Sequence, residues 1–211
     1  MTAQQRKDQT EIILKENNIP INQYLPLIEE ENEAVIRTAA DIAKRILILA
    51  YLNTTIDNGD DKQDIIAHLK TEKLWGHVSR REQEFFNKDI LSEKETISIS
   101  WRIECIYVML WAINKIDDLG LPTEEASGTI NLIPGYMESG KKFINGAVIR
   151  KTPEILEASD LIYRIHWAIK QARIDNTEIP NINPDVVQEW HQAINWITFY
   201  EDRWDDITTD T

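Results

Sequence analysis

The sequence predicts an all-α fold: one compact domain over residues 1–211, built of about seven to nine helices with a docked C-terminal tail. Three observations point there. Apolar residues recur every three or four positions along most of the chain, a spacing that gathers them on one face of a helix. No pair of alternating apolar and polar runs reads as strands. Helix breakers are scarce, with seven glycines and seven prolines, and four of the glycines fall together at 128, 135, 140 and 146.

A first helix is expected over about residues 3 to 17, ending before Ile19-Pro20, because proline disfavours helix in the residue before it. The second is placed from about Glu33 to Asn53, carrying Val35, Ile42, Ile46 and Leu49 at helical spacing. On it Arg37, Asp41 and Arg45 stand at i, i+4, i+8 and read as an ion-pair stripe. A third helix, capped by Asp61 or a near neighbour, runs through Ile65, Ile66 and Leu69 to about Trp75. Ser79-Arg80-Arg81-Glu82 has the spacing of a capping box and opens a short helix bearing Phe85 and Phe86. The fifth, about Ser98 to Asp117, is apolar nearly all round and so central. Leu121-Pro122-Thr123 closes a turn and caps a short helix. Residues 128–151 read as a loop with short helical pieces. Thr152-Pro153 then starts a helix with Ile155, Ala158, Ile162, Ile165, Ile169 and Ala172 on one stripe, and Asn183-Pro184 starts the last, to about Tyr200.

Composition narrows the classes. Apolar residues make up 42% and charged residues 28%, ordinary values for a globular chain. A domain this long buries roughly 70% of its unfolded surface and folds without metal or disulfide; the single cysteine, Cys105, lies in an apolar run and reads as a buried inert thiol. No apolar signal core opens the chain, and no run approaches the roughly 20 residues that span a bilayer. A cytoplasmic protein is expected. Net charge is −13, which excludes a nucleic-acid backbone or an anionic membrane as partner and favours a basic protein. The acidic clusters Glu29-Glu30-Glu31 and Asp57 to Asp61 read as solvated loops or helix starts.

Candidate chemistry is sparse. Gly135-Tyr136-Met137-Glu138-Ser139-Gly140-Lys141-Lys142 fits seven positions of a phosphate-binding P-loop, but Lys142 replaces the magnesium-ligating hydroxyl and Glu138 would face the phosphates. Glu104, in the apolar fifth helix, needs a partner, for which Arg45 and Arg164 are candidates, or must be neutral. Asp160 and Arg164 can pair at i, i+4. His166 and His191 border apolar stripes on neighbouring helices, with Asn195 one turn past His191; with Glu104 they could make a metal set, although no helix carries two ligand histidines at i, i+4. The C-terminal Trp204, Asp205, Asp206, Thr208, Thr209 and Asp210 form an oxygen-rich string that could bind calcium or magnesium, though its spacing differs from an EF-hand; a tail packed through its own hydrogen bonds, with Trp204 as anchor, is the favoured reading. Trp190, Trp196 and Trp204 are core at helical spacing or, if exposed together, a binding surface.

The string Trp204-Asp205-Asp206-Ile207-Thr208-Thr209-Asp210-Thr211 resembles the W-D-x-x-T-T-D-T close of a bacterial family known as domain of unknown function 4272. Arg37 to Leu49, Leu74 to Phe86, Trp101-Arg102-Ile103-Glu104 with Leu110-Trp111-Ala112, and Asp160 to Ala168 resemble further strings of that family. Glu189 to Trp196 is similar to its E-R-H-x-A-L-N-W, with Trp190 standing where arginine is usual and Ile194 where leucine is. The resemblance implies one homologous domain and brings no activity, cofactor or catalytic residue.

Resemblance and residue chemistry select the same polar groups in apolar helices: Glu104, Arg164, His166, His191 and Asn195, expected to meet in one network. The leading expectation is a non-enzymatic binding module without a cofactor, of the antitoxin or immunity kind, facing a basic partner. The alternative is a metal-assisted hydrolase using Glu104, His166 and His191.

Overall fold

The computed structural model describes residues 1–57 and 61–211. The described residues form an all-α domain with nine α-helical segments and no strand: α1 (Ala3–Glu16), α2 (Ala39–Asp57), α3 (Lys62–Thr71), α4 (Arg80–Asn87), α5 (Glu93–Ser100), α6 (Arg102–Ala112), α7 (Lys141–Asn145), α8 (Thr152–Ile174) and α9 (Pro184–Ile197). Short 3-10 turns cover Trp75–His77, Thr129–Leu132 and Trp204–Asp206.

Helix α6 is the centre. Cys105, Ile106, Val108, Met109, Leu110 and Ala112 are all fully buried and pack with Ile42, Ile46 and Leu49 of α2, Ile155 and Ile162 of α8, and Ala193, Ile194 and Ile197 of α9. The opposite face of α2 builds a second cluster with Ile65 and Leu69 of α3, Phe85 and Phe86 of α4, and Ile99 of α5. A third joins Leu14 of α1 to Ile165, Ala168 and Ile169 of α8 and Val187 of α9.

Local chemistry sets the helix ends. Thr2, Ser79 and Ser92 each make a reciprocal capping box, with Gln5, Glu82 and Glu95. Asn183 accepts from the backbone of Asp185 and Val186 with Pro184 following, the combination expected at a helix start. Asn18, Asn114 and Asn176 take left-handed φ of 57°, 58° and 52° just past α1, α6 and α8. Asparagine tolerates that conformation, and each helix closes with a bond back to its last turn, such as Ile19 N to Leu14 O at 2.9 Å.

Several boundaries differ from expectation. The second helix starts at Ala39, not Glu33. Thr38 Oγ1 accepts from Asp41 N at 3.1 Å and stops the helix from extending backwards, while Arg37 N is spent on Ile197 O at 3.0 Å; Val35 is therefore exposed. The stretch expected as one fifth helix is two, because Ser92-x-x-Glu95 opens α5 and the chain bends at Trp101 before α6. Asp61 stands at the start of α3 without a side-chain cap bond; its carboxylate accepts from Tyr136 Oη at 3.2 Å instead. No α-helix follows Thr123: Ala126 N is taken by a side chain, and Pro122 O by Asn183 N at 2.8 Å. Thr152 is the first residue of α8, so the cap falls one position earlier, on Lys151. Glu30 is not a free loop charge, since both its oxygens accept from Ala3 N, at 3.0 and 2.9 Å. The acidic stretch from Asp57 to Asp61 lies largely outside the described residues.

Candidate binding cleft

On α8, Asp160 and Arg164 face each other one turn apart. Arg164 Nε and one guanidinium NH2 group each donate at 2.9 Å to the two Asp160 oxygens, and the pair is almost wholly buried. Arg164 also donates to Pro26 O at 3.2 Å, tying the 20s loop onto α8. Two residues past Arg164, His166 meets His191 of α9 with the two Nδ1 atoms 2.6 Å apart and the rings edge to face.

Such a bond needs one protonated and one bare Nδ1. Burial first, then the charges of Lys170 and Arg173, lowers His166 to about 4; burial and then His166 itself lowers His191 to about 3. Both rings are neutral at neutral pH. The same closeness makes them a poor chelate through Nδ1: at a zinc–nitrogen length of ~2.05 Å, nitrogens 2.6 Å apart would subtend roughly 80° rather than a tetrahedral angle.

His191 of the pair lines a cleft of about 520 Å³ between the loop at residues 26–29, α8, α9 and the tail. Ser159, Tyr163, His191, Asn195, Thr198, Phe199 and Tyr200 line it, and Glu29 and Asp210 bring carboxylates. No lysine or arginine is among its lining residues.

A family model described as Domain of unknown function (DUF4272) matches residues 6–207. The chain belongs to this family. Neither a curated protein nor a solved structure matches it.

Most of the strings that resemble the DUF4272 family hold the fold together. Arg37 lies between the rings of Trp196 and Phe199, at 4.3 and 3.9 Å, and donates to the carbonyls of Trp196, Glu201 and Asp202. Arg45 grips both oxygens of Glu82 at 2.8 and 2.7 Å while Glu82 also closes the cap of α4. The expected Arg37–Asp41–Arg45 stripe is thus absent: Asp41 bonds Thr38 and Lys44, and each arginine reaches a different helix or loop. Arg45 is not the partner of Glu104 either, and nor is Arg164.

Among the described residues, no cation pairs with Glu104. Its oxygens accept from Ala126 N at 2.7 Å and Trp190 Nε1 at 3.1 Å, and burial pushes its carboxyl above the usual range. In this DUF4272 chain the indole of Trp190 therefore supplies the donor at the position where the family string has arginine. With both oxygens engaged there, Glu104 stays apart from the histidines, and among the described residues no group of three or more His, Cys, Asp or Glu side chains is arranged to hold a metal. Cys105, fully buried, donates to Glu189 Oε2 at 3.1 Å beside the Arg102–Glu189 ion pair, and burial raises its thiol well above normal.

The tail docks on three helices. Trp204 packs edge-on to Trp196 and is 5% exposed. Asp205 accepts from Ser79 Oγ and Arg81 N, at 2.7 and 3.0 Å, at the start of α4. Asp206 pairs with Arg203 at 2.6 Å. Asn195 donates to Thr208 O at 2.9 Å, and Thr209 takes Lys170 through its carbonyl and Gln188 through its hydroxyl, each at 2.6 Å. Asp205 and Asp206 thus go to separate partners. Trp190, Trp196 and Trp204 are core, each at most 5% exposed.

The P-loop-like segment is closed by carboxylates. Gly135 N donates to Glu138 at 3.1 Å and Gly140 N to Glu72 at 3.0 Å, so amides that would cradle a phosphate are occupied. Sequence reasoning missed the partners of Arg37, the Arg45–Glu82 pair and the Trp190–Glu104 bond. The capping box flagged Glu82, but nothing local showed that its second oxygen would meet Arg45.

Proposed function

We propose that the protein is a binding module whose cleft between α8, α9 and the tail receives a cationic side chain of a basic protein partner. The observation that carries this reading is the lining of the cleft: carboxylates at Glu29 and Asp210, tyrosine rings at Tyr163 and Tyr200, and no basic residue. A cation over tyrosine and beside a carboxylate is stabilised by both. The volume, about 520 Å³, suits a side-chain-sized group, and a net charge of −13 steers a basic partner from a distance. A metal-assisted hydrolase built on Glu104, His166 and His191 has no corresponding support, because Glu104 is engaged with Ala126 and Trp190.

The test is a fluorescence-anisotropy titration with labelled hexa-arginine. Binding should weaken at least about tenfold when ionic strength rises from ~10 to ~150 mM, and about tenfold in Tyr163→Ala and Asp210→Asn, the loss of roughly one charge-assisted contact. Hexa-glutamate should not bind. Equal affinity of both variants and the parent would place the peptide elsewhere; no binding at low salt would end the reading.

A further inference from the structure

Arg6 on α1 is 1% exposed and has no carboxylate within ion-pair distance among the described residues. Its one hydrogen-bond partner is the carbonyl of Glu29, and its buried Nε has none. A guanidinium taken out of water without a counter-charge is expensive; Arg45 and Arg164, buried to a similar degree, each have a carboxylate.

Arg6 borders a second cleft, of about 460 Å³, between α1, α8 and the loop at residues 117–122. Its walls are largely apolar: Ile13, Leu121, Leu161, Ile165, Trp111 and Trp190. Glu154 at its edge is neutralised by Arg150 at 3.0 Å, and the acids of the rim, Asp117, Asp118 and Glu157, are exposed to water, where screening weakens them.

We propose that this cleft is a site for an organic anion, a carboxylate carrying an apolar body, whose head group supplies the counter-charge that Arg6 lacks. The two chemistries of the cleft fit two ends of one ligand. The apolar walls take the hydrocarbon, and the buried guanidinium takes the carboxylate through a charge-assisted bond. The site is separate from the cleft of the histidine pair, so the two proposals stand or fall independently.

The experiment is calorimetric titration of the full chain with octanoate, and with 1-octanol as the uncharged match, following tryptophan fluorescence in parallel because Trp111 and Trp190 line the cleft. Octanoate should bind saturably at one site, at least about tenfold tighter than octanol, the ratio one charge-assisted bond gives. Gln9 borders the cleft at i+3 from Arg6; Gln9→Glu places a carboxylate there and should weaken octanoate about tenfold by competing for the guanidinium, with a much smaller effect on uncharged octanol. Arg6→Gln should abolish the discrimination; because Arg6 also holds Glu29 O, Gln9→Glu is the variant that keeps the test clear of misfolding. Equal affinity for acid and alcohol, absence of binding, or undiminished octanoate affinity in Gln9→Glu would overturn the proposal.

Discussion

The histidine pair shows what burial does to single residues. Above pH 6.5 both rings are neutral in the folded and unfolded chain alike. As the pH falls the unfolded chain takes up protons that the folded chain refuses, because burial holds His166 near 4 and His191 near 3. Stability is therefore whole above pH 6.5 and is lost progressively down to about pH 3, with a slope of up to about 1.4 kcal/mol per pH unit for each histidine. Glu104 and Glu189, both raised by burial, work with the opposite sign, since they bind protons more readily when folded. The contribution of the pair is isolated by His191→Gln, whose amide can still bond His166. Urea unfolding at steps between pH 6.5 and 4 should show a slope smaller by roughly one proton in the variant. Identical slopes would mean that His191 already titrates normally in the folded chain.

Elements are joined here by side chains that serve two structures at once. Glu82 caps α4 and anchors Arg45 of α2. Asp205 of the tail bonds both the hydroxyl of the α4 cap residue and the amide of Arg81, adding negative charge where the helix dipole favours it. Phe199 holds a left-handed φ of 57° just after α9, a cost for a bulky residue, offset by the Arg37 guanidinium stacked on its ring. Asp205→Ala should lower stability by about 1 kcal/mol, the scale of a lost cap, and should raise hydrogen exchange at Arg81 and in the Trp204–Asp206 turn while leaving α8 unchanged. Unaltered exchange at Arg81 would show that α4 does not depend on the tail.

For the whole molecule, a net charge of −13 acts against compaction through self-repulsion. Raising ionic strength from about 10 to about 150 mM shortens the screening length from roughly 30 to roughly 8 Å, so the melting temperature should rise with sodium chloride over that range. A fall would mean that ion pairs outweigh net repulsion. No helix of the described residues is long and apolar enough to cross a membrane.

What the sequence determined by itself is what nearest neighbours along the chain decide. Apolar spacing set the class and the stripe of α8; Ser79 with Glu82 and Asn183 with Pro184 set helix starts, because capping bonds span only two or three residues. The Asp160–Arg164 pair was legible for the same reason, being one helical turn apart. The tail was legible as docked, since a run of tryptophan, isoleucine and threonine gains from burial. Tertiary structure alone decided who meets whom across the chain: Arg45 with Glu82 rather than Glu104, Glu104 with an indole, His166 with His191 at Nδ1, Asp205 with α4, and Arg6 with no carboxylate. Even the break at Trp101 was hidden, because an apolar face all round looks alike whether one helix or two carry it. Those choices depend on crossing angles and on a few ångströms between helices distant in sequence, and apolar periodicity fixes which face turns inward without fixing what lies opposite it.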